Sequence, residues 1–293
     1  MKQAAAEQLT PSDHFVEING LRLHYVQWDS EARERTILLL HGGAANTHWW
    51  DAVAPQLTAH GRVIALDFRG HGRSQWERPA HYGPPAYVDD VRKFIEQIGS
   101  PVVLVGHSMG GAVAQWTASL YPQLIAALVI IDAPHGSPPL WRRLMWRWRR
   151  RARGGGRPEL DSAAAIVGRF RLVPPQTYLS RAAIERLAID CAEQLPNGKW
   201  AFRFDPETRA WRRMVGSSLS RPKLRLITAP TLILRGADST LISPHAMRAM
   251  QRRIRGSIVG EIPRAFHHVP LDNPDETAAS IAMLIETLAP RRN

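Results

Sequence analysis

The chain has 293 residues, of which 44% are hydrophobic and 22% are charged. This composition excludes a disordered or fibrous protein and provides enough apolar side chains for a large core. The net charge is +12, but eight arginines between positions 141 and 158 supply most of it and leave only +4 for the rest of the chain. Because the basic excess is so local, it does not indicate a nucleic-acid-binding face, and we expect no nucleic-acid partner.

The N-terminal residues and the cysteine content indicate the cellular compartment. The first residues lack the apolar run of a signal peptide, and no stretch approaches the roughly 20 apolar residues of a membrane span. The sequence therefore predicts a cytoplasmic protein. Its one cysteine, Cys191, cannot form an internal disulfide and has no cysteine or histidine neighbour at metal-ligand spacing. We expect it to be a small buried residue.

Short apolar runs alternate with helical patterns along most of the chain. Residues 15–28 alternate between apolar and polar side chains around Asn19-Gly20, which is typical of a tight β-hairpin. Continuous apolar runs then predict strands buried on both faces, and 3.6-residue periodicities between them predict helices. The strands are expected at 36–40, 63–66, 101–105, 128–131, 231–234 and 258–262, and the helices at 49–59, 87–98, 109–121, 244–254 and 274–288. This order predicts an α/β fold with a mostly parallel sheet and crossover helices.

The alternation stops between about residues 133 and 222, where arginine, tryptophan and proline become frequent. We predict an inserted, mainly helical cap over residues 134–222, with 1–133 and 223–293 forming the core domain. One face of a helix at its start would carry Trp141, Leu144, Met145 and Trp148, and arginines would cover most of the remainder. We interpret this helix as packing over the functional site with its basic side in solvent. Contact with an anionic membrane surface is the alternative that we do not favour.

The most informative stretch runs from residue 102 to residue 111. Its apolar run predicts a buried strand, and Gly106-His107-Ser108-Met109-Gly110 and a helix follow, which is the strand–turn–helix setting of a nucleophile elbow. A turn this sharp strains the backbone at Ser108 and leaves no room for side chains at Gly106 and Gly110. Ser108 is therefore the predicted nucleophile, and the Met109 amide is expected to face the point where an oxyanion would form.

With three further motifs, this stretch resembles the α/β-hydrolase superfamily over nearly the whole chain outside the predicted cap. His-Gly-Gly at 41–43 follows the third strand, Asp-Phe-Arg-Gly-His-Gly-Arg-Ser at 67–74 follows the fourth, and residues 267–274 follow the last. The resemblance implies an eight-stranded, mostly parallel sheet with flanking helices and a catalytic serine, histidine and acid. It also implies that the amides of Gly43 and Met109 form the oxyanion hole.

A serine hydroxyl needs a base to become a good nucleophile, and histidine, with an unperturbed pKa near 6.5, suits that task. The resemblance places the base in the loop after the last strand, where His267 and His268 are adjacent. The register of the family motif favours His267 and puts Phe266 in place of the usual glycine. His268 would then be a packing or cap-facing residue.

Two positions compete for the acid. The family usually has Gly-x-x-Asp after the seventh strand, whereas Gly236-Ala237-Asp238-Ser239 places the carboxylate one residue early and a serine in the expected position. Asp132 at the end of the sixth strand is the alternative, because some members of the family, notably certain haloalkane dehalogenases, take their acid from that place. Either carboxylate could orient the imidazole. We favour Asp238.

Other residues are assigned to bracing or to a substrate pocket. By the resemblance, His41 braces the oxyanion loop, and Asp67 and Arg69 form a loop-bracing pair. The predicted pocket residues are Asn46, His48, Trp49, His107, Trp141 and Trp148. Two of these residues have an alternative, purely structural role: Trp49 could equally anchor the first helix in the core, and His107 could be a packed neighbour of the elbow. The ten tryptophans favour an apolar acyl or aromatic substrate.

These residues predict a serine hydrolase that cleaves a carboxylic ester, lactone or thioester of a small molecule through an acyl-enzyme, with no metal or organic cofactor. The alternatives are a carbon–carbon bond hydrolase of ring-cleavage diketones, a cofactor-free perhydrolase or haloperoxidase, and a ligand-binding receptor that retains the hydrolase pocket. Haloalkane dehalogenases and epoxide hydrolases of this superfamily have aspartate at the elbow, so Ser108 argues against their chemistry. Neither the natural substrate nor the oligomeric state is predicted.

Overall fold

The computed structural model describes residues 10–30, 35–133, 156–210 and 223–288. The strands within these ranges are β1 (Ser12–Ile18), β2 (Leu21–Trp28), β3 (Thr36–Leu40), β4 (Arg62–Leu66), β5 (Val102–His107), β6 (Ile125–Ile131), β7 (Ala192–Gln194), β8 (Trp200–Phe202), β9 (Thr231–Gly236) and β10 (Ile258–Ile262). Eight of them form one sheet in the order β1-β2-β4-β3-β5-β6-β9-β10. Strand β2 is antiparallel to β1 and β4, and the other neighbours in this sheet are parallel. The predicted eight-stranded, mostly parallel α/β sheet is confirmed.

The hairpin between β1 and β2 has the predicted tight turn. Ile18 pairs with Leu21, and the two residues between them, Asn19 and Gly20, have φ angles of 54° and 72°. Two positive φ angles define the turn whose twist suits a two-residue hairpin, and asparagine followed by glycine tolerates them best.

Both faces of the central strands are buried. In β3, Leu38 and Leu40 pack in one hydrophobic cluster, whereas Ile37 and Leu39 pack in the cluster on the opposite face. Successive side chains of a strand point to opposite faces, so a continuous apolar run fits a sheet covered on both sides. Strand β10 departs from this expectation because it lies at the sheet edge, where Ile258 is 50% exposed.

Helices flank the sheet and connect its strands. They are α1 (Ala54–Leu57), α2 (Pro84–Ile98), α3 (Met109–Leu120), α4 (Ala163–Arg169), α5 (Arg181–Asp190), α6 (Pro244–Gln251), α7 (Val269–Asp272) and α8 (Pro274–Glu286). The helix predicted at 49–59 is instead divided into 3₁₀ turns at Thr47–Trp50 and Thr58–His60 with α1 between them. Pro55 lies in the first turn of α1 and has no amide hydrogen to bond to a preceding turn. None of the helices in the described ranges has both the length and the apolar character needed to cross a membrane.

The described part of the predicted cap, residues 156–210, is only partly helical. It contains α4 and α5 together with the antiparallel pair β7–β8, and its apolar side chains form a small cluster around Ile166, Ala188 and Ala192. Asp205 connects this segment to the core: its amide donates to the Gly70 carbonyl at 2.8 Å. The boundaries of the cap stay a prediction, and Trp141 and Trp148 lie outside the described residues.

Candidate active site

The motif residues lie at the carboxyl ends of the parallel strands. Strands β3 and β5 are neighbours, with Leu40 paired to Gly106, while β4 lies beyond β3 and β6 lies beyond β5. Such a reversal of strand order opens a crevice at the carboxyl edge of a parallel sheet. The loop after β3 and the turn after β5 meet there, because a side-chain carbon added at Gly42 would lie 3.4 Å from Ser108 Cβ.

The turn after β5 has the geometry of a nucleophile elbow. Ser108 has a φ of 53° and a ψ of −113°, a strained backbone conformation for a residue other than glycine. A Cβ at Gly106 would lie 2.4 Å from the Gly110 carbonyl oxygen, and one at Gly110 would lie 2.3 Å from the Leu40 carbonyl oxygen. The predicted need for glycine at these two positions is confirmed. The Ser108 amide donates to the Ile131 carbonyl at 3.0 Å, which holds the elbow against the end of β6.

A chain of hydrogen bonds connects Ser108, His267 and Asp132. Ser108 Oγ lies 3.0 Å from His267 Nε2, and His267 Nδ1 lies 2.6 Å from Asp132 Oδ2. A carboxylate can only accept, so Nδ1 carries the imidazole hydrogen and Nε2 has a lone pair facing the serine hydroxyl. The arrangement suits a base that takes the Ser108 proton.

The structure corrects the preference for Asp238 as the partner of His267. Asp238 is exposed, and its Oδ2 accepts a hydrogen bond from Tyr178 Oη at 2.9 Å. Its amide donates to the Ala265 carbonyl at 3.0 Å, which directs the side chain outward from the loop after β9. Asp132, the alternative in the sequence, occupies the position at His267.

Asp132 is buried at the end of β6. Its Oδ2 also accepts from Ser239 Oγ at 2.8 Å, and its Oδ1 accepts from the Gly236 amide at 3.3 Å. Burial raises the pKa of Asp132 from 3.8 to about 7, while those two hydrogen bonds and the charge of Arg235 act in the opposite direction. The carboxylate therefore depends on its neighbours to remain ionised.

His107 and His268 are buried neutral rings that both lie close to His267 and to each other, with a centroid distance of 6.4 Å between them. His107 Nε2 donates to the His267 carbonyl oxygen at 2.7 Å, and its ring centroid lies 4.9 Å from that of His267. His268 Nε2 donates to the Pro174 carbonyl at 2.9 Å, so it faces the predicted cap, as expected if His267 is the base. Burial lowers the pKa of both rings, which keeps them uncharged beside His267 near neutral pH.

The loop after β3, which carries the predicted oxyanion-hole residue Gly43, is fixed from behind by His41. Its Nδ1 donates to the Gly42 carbonyl at 2.6 Å and its Nε2 accepts from the Phe68 amide at 3.1 Å, which agrees with the bracing role. The Gly42 carbonyl and the Gly43 amide belong to one trans peptide plane and point in opposite directions. By holding the carbonyl, His41 therefore also fixes the direction of the Gly43 amide. Among the described residues, neither this amide nor that of Met109 has a hydrogen-bond acceptor.

The family follows from comparison with known sequences. The sequence model described as "Alpha/beta hydrolase family" matches residues 37–280, which is most of the chain. The chain belongs to the α/β hydrolase family. This α/β hydrolase is 28% identical to 2-(acetamidomethylene)succinate hydrolase of Mesorhizobium japonicum over 94% of this chain and 97% of that protein. It is 24% identical to Esterase Rv0045c of Mycobacterium tuberculosis over 89% and 86% of the two chains.

A more local match connects it to Epoxide hydrolase 4 of Mus musculus, at 37% identity over 41% of this chain and 33% of that protein. Since these relatives are all named as hydrolases or esterases, the α/β hydrolase described here is an enzyme of the hydrolase class. Among solved structures, that of E-2-(acetamidomethylene)succinate hydrolase matches with a TM-score of 0.79 at 24% identity, covering 95% of this chain and all (100%) of that one. This likeness shows a shared fold.

Three of the predicted pocket residues, Asn46, His48 and Trp49, make capping, ion-pair or packing contacts in this α/β hydrolase. Asn46 caps the turn at Thr47–Trp50 by accepting from the His48 amide, and its Nδ2 donates to the Asp190 carbonyl at 3.0 Å. The His48 ring is partly exposed and pairs with Asp51 at 2.8 Å. Trp49 is buried in the hydrophobic core, which favours the anchoring interpretation of this residue.

Asp67 and Arg69 brace the loops but not as the predicted pair. Asp67 is buried and accepts from His24 Nδ1 at 2.7 Å and from the Thr47 amide at 2.8 Å, so it connects the loop after β4 to the segment after β3. Arg69 instead forms a bidentate ion pair with Asp90 of α2 at 2.5 Å. The two charged side chains diverge because the turn between them points them to different elements.

Two contributors to the site were missed by sequence reasoning. Ser239 contacts Asp132, and its only signal in the sequence is that it stands where the family usually has the acid. Asp272 accepts from the Phe266 amide and from the Tyr178 amide, each at 2.8 Å, and so connects the histidine loop to the predicted cap. The motif order placed Asp272 near His267 but gave no indication of its contact with residues 177–178.

Proposed function

We propose that this α/β hydrolase cleaves a carboxylic ester, lactone or thioester through an acyl-enzyme, with Ser108, His267 and Asp132 as its catalytic triad. The observation that carries the proposal is the 3.0 Å contact between Ser108 Oγ and His267 Nε2, with Asp132 at the opposite ring nitrogen. The relative named as an esterase, which is matched over 86% of its length, supports it.

In the first half-reaction, Ser108 Oγ attacks the substrate carbonyl carbon while His267 Nε2 takes the hydroxyl proton. The carbonyl oxygen becomes an oxyanion, and the amides of Gly43 and Met109 donate to it. His267 then returns the proton to the leaving alcohol or thiol as the bond between the carbonyl carbon and that group breaks. Asp132 stabilises the imidazolium that exists between these proton transfers.

In the second half-reaction, a water molecule attacks the acyl-Ser108 carbonyl and gives its proton to His267. Collapse of the second oxyanion releases the acid and returns the proton to Ser108 Oγ. The buried neutral rings of His107 and His268 add no positive charge beside the imidazolium, so their neutrality favours its formation.

The deciding experiment compares wild-type enzyme with Ser108→Ala. We expect a fluorophosphonate to attach to Ser108 alone and ester turnover to fall by several orders of magnitude in the variant, because the reagent reports an activated hydroxyl. Ser119→Ala is the matched control, since Ser119 lies on the helix that follows the elbow and its hydroxyl, among the described residues, donates to the Trp116 carbonyl of the same helix. An adduct at another residue, or turnover by Ser108→Ala within about tenfold of wild type, would contradict the proposal.

The substrate class is found by a screen with Ser108→Ala as blank. It should contain p-nitrophenyl esters of increasing chain length, lactones, thioesters and a ring-cleavage diketone. The relative named 2-(acetamidomethylene)succinate hydrolase, which matches over nearly its whole length, favours adding substrates with free carboxylates. Preferred turnover of the diketone would move the assignment to the carbon–carbon hydrolase alternative.

A further inference from the structure

Ser239 lies behind the proposed triad and contacts its acid directly. The residue follows β9, is 8% exposed, and places its Oγ 2.8 Å from Asp132 Oδ2. The same carboxylate oxygen accepts the His267 Nδ1 hydrogen at 2.6 Å. A hydroxyl and an imidazole therefore share one oxygen of the acid.

The Ser239 hydroxyl is committed to donating toward Asp132. A hydroxyl has one hydrogen and two acceptor positions. Both acceptor positions of Ser239 Oγ are used, by the Leu241 amide at 3.2 Å and the Ile242 amide at 3.4 Å. Its hydrogen therefore points at Asp132 Oδ2, where an ionised carboxylate can accept it. A proton on that oxygen would face two donors and no acceptor.

The loop that carries Ser239 is held by a buried cation. Arg235, which is 5% exposed, donates from Nε to the Ile242 carbonyl at 3.0 Å and from Nη2 to the Ser239 carbonyl at 3.2 Å. Its Nη1 pairs with Glu261 at 2.7 Å. The contacts of Arg235 hold the backbone at both ends of the turn from Ser239 to Ile242. The position of Ser239 beside Asp132 is therefore fixed by a buried side chain and not by a mobile one.

We propose that Ser239 is a positioning residue, which holds the Asp132 carboxylate in register with His267 and favours its ionised form. This inference rests on the proposed triad.

Among the described residues, the charged and titratable groups around Asp132 are His267 at Oδ2, Arg235 behind the loop, and the more distant His268. The reactive form of the Asp132–His267 pair has a net charge of −1, and adding one proton makes the pair neutral. A hydrogen aimed at the carboxylate stabilises the −1 form, so its removal raises the apparent pKa of the pair.

The test is the pH dependence of Ser108 inactivation by a fluorophosphonate between about pH 5 and 9, which needs no knowledge of the natural substrate. In Ser239→Ala, we expect the midpoint of the acidic limb to move upward by about one pH unit. The rate on the alkaline plateau should stay within about threefold of wild type, because the pair is deprotonated there in both proteins. KM for an ester substrate should not change, since Ser239 lies behind Asp132.

Three variants make the result specific. Ser239→Thr retains the hydroxyl and should restore the wild-type midpoint, whereas Ser239→Cys, a near-isosteric and weaker donor, should shift it in the same direction as alanine. Asp238→Asn alters the adjacent, exposed residue and should leave the midpoint unchanged. A wild-type midpoint in Ser239→Ala, or in Ser239→Cys if the alanine variant does not fold, would overturn the inference alone. Wild-type enzyme that the reagent never inactivates would overturn the proposed function and this inference with it.

Discussion

Replacing Asp132 with asparagine tests which carboxylate orients His267. Asp132 Oδ1 accepts from the Gly236 amide, while Oδ2 accepts from His267 Nδ1. In Asp132→Asn, the negative charge is lost and one accepting oxygen becomes a donating amide nitrogen, which faces His267 when it takes the place of Oδ2, as in the corresponding variant of serine-protease triads. Two donors cannot bond to each other, so the imidazole hydrogen moves to Nε2. In that tautomer, His267 can no longer accept the Ser108 proton.

The expected cost is on the order of 10⁴ in kcat, which corresponds to about 5.4 kcal/mol of transition-state stabilisation. The matched control is Asp238→Asn, which removes the same charge from an exposed residue that bonds to Tyr178, and it should keep activity within about threefold. The assay is steady-state hydrolysis of a p-nitrophenyl ester by both variants, with circular dichroism to confirm folding. Folded Asp132→Asn with activity within tenfold of wild type, or an equal loss in Asp238→Asn, would refute the reasoning.

Two further predictions concern stability and reactivity. Burial raises the pKa of Asp132 from 3.8 to about 7, so the folded protein binds a proton at this residue more tightly than the unfolded chain does. The resulting contribution to the free energy of unfolding is fully present below about pH 4 and is lost as the pH rises through about 7. The melting temperature of Asp132→Asn relative to wild type should therefore increase between about pH 5 and pH 8, and a decrease measured by differential scanning fluorimetry would contradict this sign. Cys191 is buried and burial raises the pKa of its thiol, so a thiol reagent should label it only after denaturation. Rapid labelling of native protein would contradict its placement.

The order of elements and the elbow could be predicted because each depends on short-range chemistry. A short, mostly apolar run such as 36–40 is typical of a strand covered on both faces, and the glycines around Ser108 report steric limits that hold in any context. The region at 47–60 was less predictable. Its apolar spacing suits one helix, but Asn46 caps a 3₁₀ turn there and Pro55 interrupts the amide hydrogen-bond series.

The carboxylate that contacts His267 could not be predicted because two adjacent strand ends reach the same histidine. Strands β6 and β9 are parallel neighbours with Ile131 paired to Leu234, so loops after both strands end beside His267. The conformation of the second loop decides between them. The Ser239 amide donates to the Gly236 carbonyl at 2.9 Å, and this turn directs Ser239 toward Asp132 while Asp238 points to solvent. A one-residue difference in such a turn exchanges the inward and outward positions, and residue types alone do not determine it.

Asp272 should couple the predicted cap to the position of His267. Its Oδ1 accepts from the Tyr178 amide at 2.8 Å and from Thr177 Oγ1 at 2.5 Å, and its Oδ2 accepts from the amide of Phe266, the residue before His267. The Phe266 ring stacks on Tyr178 with a centroid distance of 4.9 Å. In Asp272→Asn, only one side-chain atom can accept, so either the histidine loop or residues 177–178 lose their bonds.

We expect Asp272→Asn to lower stability by about 1 kcal/mol, since partly buried and exposed donors lose a charged acceptor. It should also lower kcat by roughly tenfold, because a small displacement of His267 lengthens its contact with Ser108 Oγ. Asp275→Asn is the control: it removes the same charge three residues later, where Asp275 is exposed and bonds only to Gln56 Nε2 among the described residues. Urea unfolding and ester kinetics separate the two effects. A loss of stability with unchanged kcat would show that Asp272 connects the two segments without positioning the base, and equal losses in Asp275→Asn would assign both effects to charge alone.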